Sequence, residues 1–157
     1  DRVQAAACDA LQALVLDVPE AQAKVAADSG VAALMDSLRA DIGNLRVQRA
    51  GWSMLERLLE DSPGDRAVFL ALGGPALSRD AAAEHLANVV VQRCCSRVIC
   101  GLAGDGNDSV DLLLSVGCLP TLLTALRAHI QEPKVQANGC EALSRLVWGR
   151  AGAQADA

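Results

Sequence analysis

Aromatic residues are nearly absent from this chain, which has one Phe, two Trp and no Tyr among 157 residues. A core built around large rings is thereby excluded, and the interfaces must be made by small and aliphatic side chains. Also missing is any basic run. The net charge of −5 comes from mixed signs spread along the whole length, so no stretch could track a phosphate backbone, and nucleic acid is not expected as a partner. No apolar stretch approaches the roughly 20 residues that cross a bilayer, and no signal-peptide pattern opens the chain. A soluble protein without membrane insertion is expected.

Further absences bear on chemistry. No Cys-x-x-Cys pair occurs, so zinc spacing is lacking. Neither a phosphate loop, a nucleophile elbow nor a dinucleotide fingerprint is present. The expectation is a protein that is not an enzyme, with no catalytic residue, cofactor or metal. Six cysteines could form a disulfide framework in a secreted chain. Here they lie within apolar helical patterns rather than in loops at staple-like spacings, which points to the cytoplasm or another reducing intracellular compartment.

What the sequence does contain is alanine and leucine, which together make up about a third of it. Both favour helix over strand, so an all-α protein is expected. It also contains a repeat. The pair Val-Gln occurs at Val3-Gln4, Val47-Gln48, Val91-Gln92 and Val135-Gln136, at a constant spacing of 44 residues. The segments that follow align without gaps: VQAAACDALQALVLD, VQRAGWSMLERLLED, VQRCCSRVICGLAGD and VQANGCEALSRLVWG. Counted from the Val, the ninth position is Leu11, Leu55, Ile99 and Leu143, and the twelfth is Leu14, Leu58, Leu102 and Leu146. With Val at the start and a further apolar residue at the thirteenth position, this is the stripe of an amphipathic helix. The fifth position is small, namely Ala7, Gly51, Cys95 and Gly139, so another helix can approach closely there.

A second pattern lies between these helices, in SVGCLPTLLTALRAH and ADSGVAALMDSLRAD. A short helix with Val25, Phe69 or Leu113 on its apolar face is expected to end at a glycine, Gly117 or Gly30, the residue best suited to a left-handed C-cap. A medium helix follows, with Leu122 and Leu126 in the columns of Leu34 and Leu38. In the middle unit Ser78 and Ala82 replace that leucine pair, leaving Leu77 and Leu86 as the large apolar residues, so its packing is expected to be the weakest. Each unit thus reads as short helix, sharp turn, medium helix, long helix. The expected division is one domain over 1–150, with a partial unit 1–17, full units 18–61, 62–105 and 106–149, and a flexible tail 151–157.

The period, the three helices, the glycine between the first two and the Val-Gln opening of the third resemble the armadillo repeat family. The resemblance extends from Val3 to about Trp148 and implies a right-handed α-solenoid whose third helices line a concave groove. It implies a protein–protein interaction module that binds a partner segment in that groove. Two other roles remain open: an architectural subunit held through its edges and exposed ends, and a scaffolding or regulatory domain of a longer enzyme. In the nuclear-import receptors of the family, the third helix carries Trp at its seventh position and Asn at its eleventh, which hold an extended basic peptide. Here those positions are Asp9, Ser53, Arg97, Glu141 and Ala13, Arg57, Gly101, Arg145, so the import activity does not carry over. Trp52 falls one place early and reads as a semi-buried packing residue.

The candidate groove residues are Arg49, Ser53, Arg57, Arg93, Arg97, Arg145 and Glu141, the arginines being tempered by Asp9, Glu56, Glu60 and Glu141. Arginine forks suit carboxylates and exposed carbonyls, so a protein partner with an acidic or mixed-charge segment is one reading. The other is that these arginines only solvate a helix surface. His85 and His129, also 44 residues apart, occupy one column at the end of the second helix, where a histidine meets the negative end of the helix dipole. Cys100 is the cysteine expected to be exposed, while Cys8 and Cys140 share a semi-buried column. The stretch Asp105 to Ser109 resembles the opening of a calcium loop but has Val110 at the sixth position and Val116 at the twelfth, so it reads as a turn between units.

Overall fold

The computed structural model describes residues 30–155 together with Val3 and Ala6, with side chains placed as far as Trp148. Apart from Val3 and Ala6, the expected partial unit 1–17 lies outside the described residues, as do the first helix of the unit 18–61 and residues 156–157.

The described chain is all-helical: α1 (Gly30–Ala40), α2 (Leu45–Glu60), α3 (Pro63–Ala71), α4 (Gly74–Glu84), α5 (Val89–Ala103), α6 (Asn107–Ser115), α7 (Cys118–Ala128) and α8 (Pro133–Ala155). The long helices start at residues 45, 89 and 133, the medium ones at 30, 74 and 118, and the short ones at 63 and 107, so every step is 44 residues. The starts are set locally. Asn44 and Asn88 cap α2 and α5, their side-chain oxygens accepting from the N–H of Arg46 (3.2 Å) and of Val91 (3.1 Å). Ser62 caps α3 with Pro63 in its first turn, where a missing N–H costs nothing. Gly73 and Gly117 make the sharp turn into α4 and α7 with φ of +74° and +85°, a conformation that β-carbon-bearing residues adopt at a cost.

Two expectations at helix ends need correction. Gly30 is not the turn glycine. It is the first residue of α1, in the column of Gly74 and Cys118, and the turn column at that place is Ser29, outside the described residues. The chain also does not leave helix at 150: α8 runs on to Ala155, so residues 151–155 continue it.

The Val-Gln pair has a structural meaning. Val47, Val91 and Val135 are fully buried. Each Gln turns its amide nitrogen back onto the preceding medium helix: Gln48 donates to Leu38 O (2.8 Å) and Asp41 O (3.1 Å), Gln92 to Ala82 O (2.7 Å) and His85 O (3.1 Å), Gln136 to Leu126 O (2.8 Å) and His129 O (3.0 Å). Carbonyls at a helix C-terminus lack intrahelical donors, and the glutamine supplies them. The histidines join one unit to the unit before. His85 Nε2 lies 2.6 Å from Ile42 O and His129 Nε2 lies 2.6 Å from Leu86 O. A carbonyl only accepts, so Nε2 carries the proton in both. Guanidinium groups reach forward to the following short helix, Arg39 donating to Leu72 O and Arg79 to Val116 O (2.9 Å); the two carbonyls share one column and the two arginines do not.

One apolar core runs through all the described units, from Val31 to Leu146. The long helices α2, α5 and α8 pack in a row, as do the medium helices α1, α4 and α7. At the small fifth position a β-carbon on Gly51 would sit 2.7 Å from Leu38 Cδ2, and one on Gly139 would sit 2.7 Å from Leu126 Cδ2. The middle unit reverses the sizes, with Cys95 in the glycine column and Ala82 in the leucine column, both buried. Ser78, in the other leucine column, is fully buried and donates to Gly74 O (3.0 Å). Phe69 lies against Gly74, and Trp52 meets Phe69 edge-on with ring centroids 6.3 Å apart. The weak packing expected from the missing leucines is therefore offset by bulk on the opposing helices, and Trp52 is fully rather than partly buried.

A β-carbon on Gly74 would lie 2.2 Å from the Phe69 ring. Gly74→Ala is expected to destabilise by about 1–3 kcal/mol through overpacking, because Gly74 is the first residue of α4, where alanine gains little of its helix-interior advantage over glycine. The urea midpoint checks this. Adding Phe69→Leu, which installs the residue type found at Leu113, should recover most of the loss.

Candidate partner-binding face

The row of long helices presents one polar face. From α2 come Ser53, Glu56, Arg57 and Glu60, from α5 Arg93 and Arg97, and from α8 Glu141 and Arg145. These positions follow the apolar stripe by a fraction of a turn, so burial of the stripe turns them outward. They form a ladder of charges between helices. Arg93 Nη1 reaches both oxygens of Glu56 (2.7 and 2.8 Å), Arg97 Nη2 donates to Glu60 (2.8 Å), and Arg97 Nη1 lies 4.0 Å from Glu141. Arg145 closes the ladder, donating to Glu141 (2.7 Å) and to Cys100 O (3.1 Å). The outer pairs are about half exposed and contribute little individually, on the order of 0.2–1 kcal/mol. Arg93–Glu56 is more enclosed, with side-chain exposures of 28% and 14%, and its two-oxygen contact fixes the geometry.

Two open cavities lie in this face. The larger, about 370 Å³, sits between the C-terminal ends of α2 and α5 and is bordered by Glu60, Asp61, Arg97, Gly101, Gly104 and Arg145, among others. The smaller, about 260 Å³, is bordered by Ser53, Glu56, Arg57, Glu60 and Arg93. Five of the seven candidate residues, Ser53, Arg57, Arg93, Arg97 and Arg145, thus border the two cavities, and Glu141 is held beside them by Arg145. Arg49 is exposed on α2, one turn before Ser53, and borders neither.

Glu56 and Glu60, expected to temper the groove's arginines, pair directly with Arg93 and Arg97, and two further residues belong to the site. Arg66, on α3, holds Asp105 through Nε (2.7 Å) and donates to Leu59 O (2.7 Å) and Glu60 O (3.0 Å), closing the end of α2. Asp61 follows it at the rim. The pairs Glu56–Arg93 and Glu60–Arg97 are each 37 residues apart, seven columns short of the repeat, so a comparison of equal columns does not find them.

The cysteines differ from expectation in two cases, Cys100 and Cys140. Cys100 is buried, with 1% of its surface exposed, because α5 is flanked on both sides and Arg145 reaches across it. Cys140 is the exposed one, on α8, with no later unit against it among the described residues. Cys94 sits behind Glu56, its thiol 3.1 Å from Oε2; burial, then the Glu56 carboxylate, pushes its pKa up to about 12. Burial likewise pushes Cys118 up to about 12 and raises Cys95 and Cys100. Among the five described cysteines, a thiol reagent at pH 8 should therefore modify Cys140 and spare the rest, as read by peptide mass. Between pH 9 and 12 an unfolded chain ionises thiols that the folded chain keeps protonated, so stability should fall as pH rises through that window.

Comparison of the chain with protein families, curated proteins and solved structures gives no match to any of them.

Proposed function

We propose that this chain is an armadillo-like stack of three-helix units forming a right-handed α-solenoid, and that its face of long helices binds a segment of another protein. The observation that carries the reading is the alignment of α2, α5 and α8 in one row, with two open, charged cavities in the face they share. Repeats that stack only on their neighbours present extended surfaces of this kind. No chemistry is assigned to the face, so its role is recognition, and the five described cysteines, all free thiols, suit a reducing intracellular compartment.

The partner segment is of mixed charge. Arg93, Arg97 and Arg145 already hold carboxylates, so a purely acidic segment would have to displace Glu56, Glu60 and Glu141. Reversing Arg57, Arg97 and Arg145 to glutamate together is expected to weaken binding of the partner, captured by crosslinking in native extract, at least tenfold, about 1.4 kcal/mol. The circular dichroism should be unchanged. Binding retained by the triple variant contradicts the reading.

A second reading, a subunit held through its end, draws on Ile130, Val147 and Trp148, which are 71%, 56% and 70% exposed on the last described unit. The columns of Val147 and Ile130 are buried at Leu59 and Ala103 and half-buried at Ile42 and Leu86. Light scattering decides it: self-association of the isolated chain favours this reading, and a stable monomer counts against it.

A further inference from the structure

Resting on the docking reading above, we propose that the larger cavity takes a basic side chain, a guanidinium or ammonium group, of the partner segment. The cavity opens where two long helices end. The last turn of α2 and that of α5, with Glu60, Asp61, Gly104 and Asp105, border it, and each helix brings the partial negative charge of its C-terminal carbonyls. The side chains add four carboxylates, Glu56, Glu60, Asp61 and Asp105, against three arginines, Arg66, Arg97 and Arg145.

Those arginines are committed. Arg66 holds Asp105 and the carbonyls that end α2, Arg97 holds Glu60, and Arg145 holds Glu141 and Cys100 O. Of the carboxylates, Glu56 and Asp105 each have both oxygens engaged by one guanidinium. Asp61 makes no hydrogen bond or ion pair among the described residues and is exposed at the rim.

The chain itself shows what group such a helix end accepts. Arg66 closes α2, and Arg145 reaches the end of α5, donating to Cys100 O at 3.1 Å. Room is left beside them: a β-carbon on Gly101 would meet nothing within 4 Å. Space and the spare negative charge of Asp61 coincide beside two helix ends that already accept guanidinium groups, and a cation on a flexible stem fits both.

Selection of decapeptides from a random display library against the full chain tests this. The selected peptides should carry Arg or Lys, and replacing that residue by norleucine should weaken binding about tenfold. Asp61→Lys should weaken it by as much, and Asp61→Asn by about threefold. Lysine at the C-terminus of α2 suits the helix dipole, so an unchanged melting curve accompanies the loss. Peptides that bind within twofold of normal to Asp61→Lys but lose affinity for Arg97→Glu would overturn the basic pocket and leave the docking face standing. An empty selection, or peptides indifferent to both substitutions, would overturn both.

Discussion

Trp52→Ala is expected to cost about 3–5 kcal/mol of stability, whereas Trp148→Ala should change it by no more than about 0.5 kcal/mol. The two tryptophans differ in surroundings, one fully buried and the other 70% exposed. Trp52 does two things at once. Its ring fills the space beside Phe69 in an edge-on contact, and its Nε1 donates to Gln48 Oε1 at 3.0 Å. That second bond sets the amide of Gln48 so that its nitrogen faces Leu38 O and Asp41 O. Alanine leaves both a cavity and a buried amide oxygen without its donor. Trp52→Phe keeps an aromatic ring beside Phe69 but removes the donor and part of the ring volume, with an expected smaller loss of about 1–3 kcal/mol. Urea unfolding followed by circular dichroism measures all three variants.

Gln92→Leu should cost about 2–3 kcal/mol, although it replaces a polar residue in the interior by an apolar one. Gln92 is 1% exposed and serves the carbonyls of Ala82 and His85. His85 O keeps a second donor in the Asn88 N–H at 2.9 Å, so the group left stranded is Ala82 O, at the end of α4. Leucine also adds a branch where the extended amide lay flat. The matching substitution Gln136→Leu removes the same two bonds from a half-buried site, where water can replace them, and its loss should be smaller. Equal losses at the two positions would show that the bonds themselves do not carry the effect.

Much of the fold could be read from the sequence because the repeat fixes columns and the columns fix burial. Val47, Val91 and Val135, the ninth-position Leu55 and Ile99, and the glycines opposite Leu38 and Leu126 all fall where an amphipathic stripe of period 3.6 puts them. Gly30 misled by one residue because a glycine at the first position of a helix and a glycine in the turn before it look alike in sequence. The middle unit misled because its bulk had moved to another helix. Cys95 stands where Gly51 and Gly139 stand, Ala82 where Leu38 and Leu126 stand, and the sum is visible only when the helices are packed.

The site was less legible for a geometric reason. Columns compare like with like along the chain, but side chains meet across neighbouring helices with an offset. Arg93 and Arg97 pair with Glu56 and Glu60, seven columns away from their own, while Asn138 and Arg145 donate to the carbonyls of Arg93 and Cys100, one column from their own. The offset depends on the length and direction of each side chain, which the columns do not carry. Arg66 and Asp61 stand at helix ends, outside the stripe-and-face pattern from which the groove is predicted.

The proposal that partners dock on the face of long helices is tested most directly by site-specific photocrosslinking in native extract. A photoreactive residue is placed in turn at Arg57 and Arg145 on that face, at the exposed Val68 and Leu112 on the short helices, and at Ile130 and Trp148 on the last unit. The account predicts that a shared partner is captured from Arg57 and Arg145 and not from Val68 or Leu112. Capture confined to Ile130 and Trp148, or equal from every position, would contradict it.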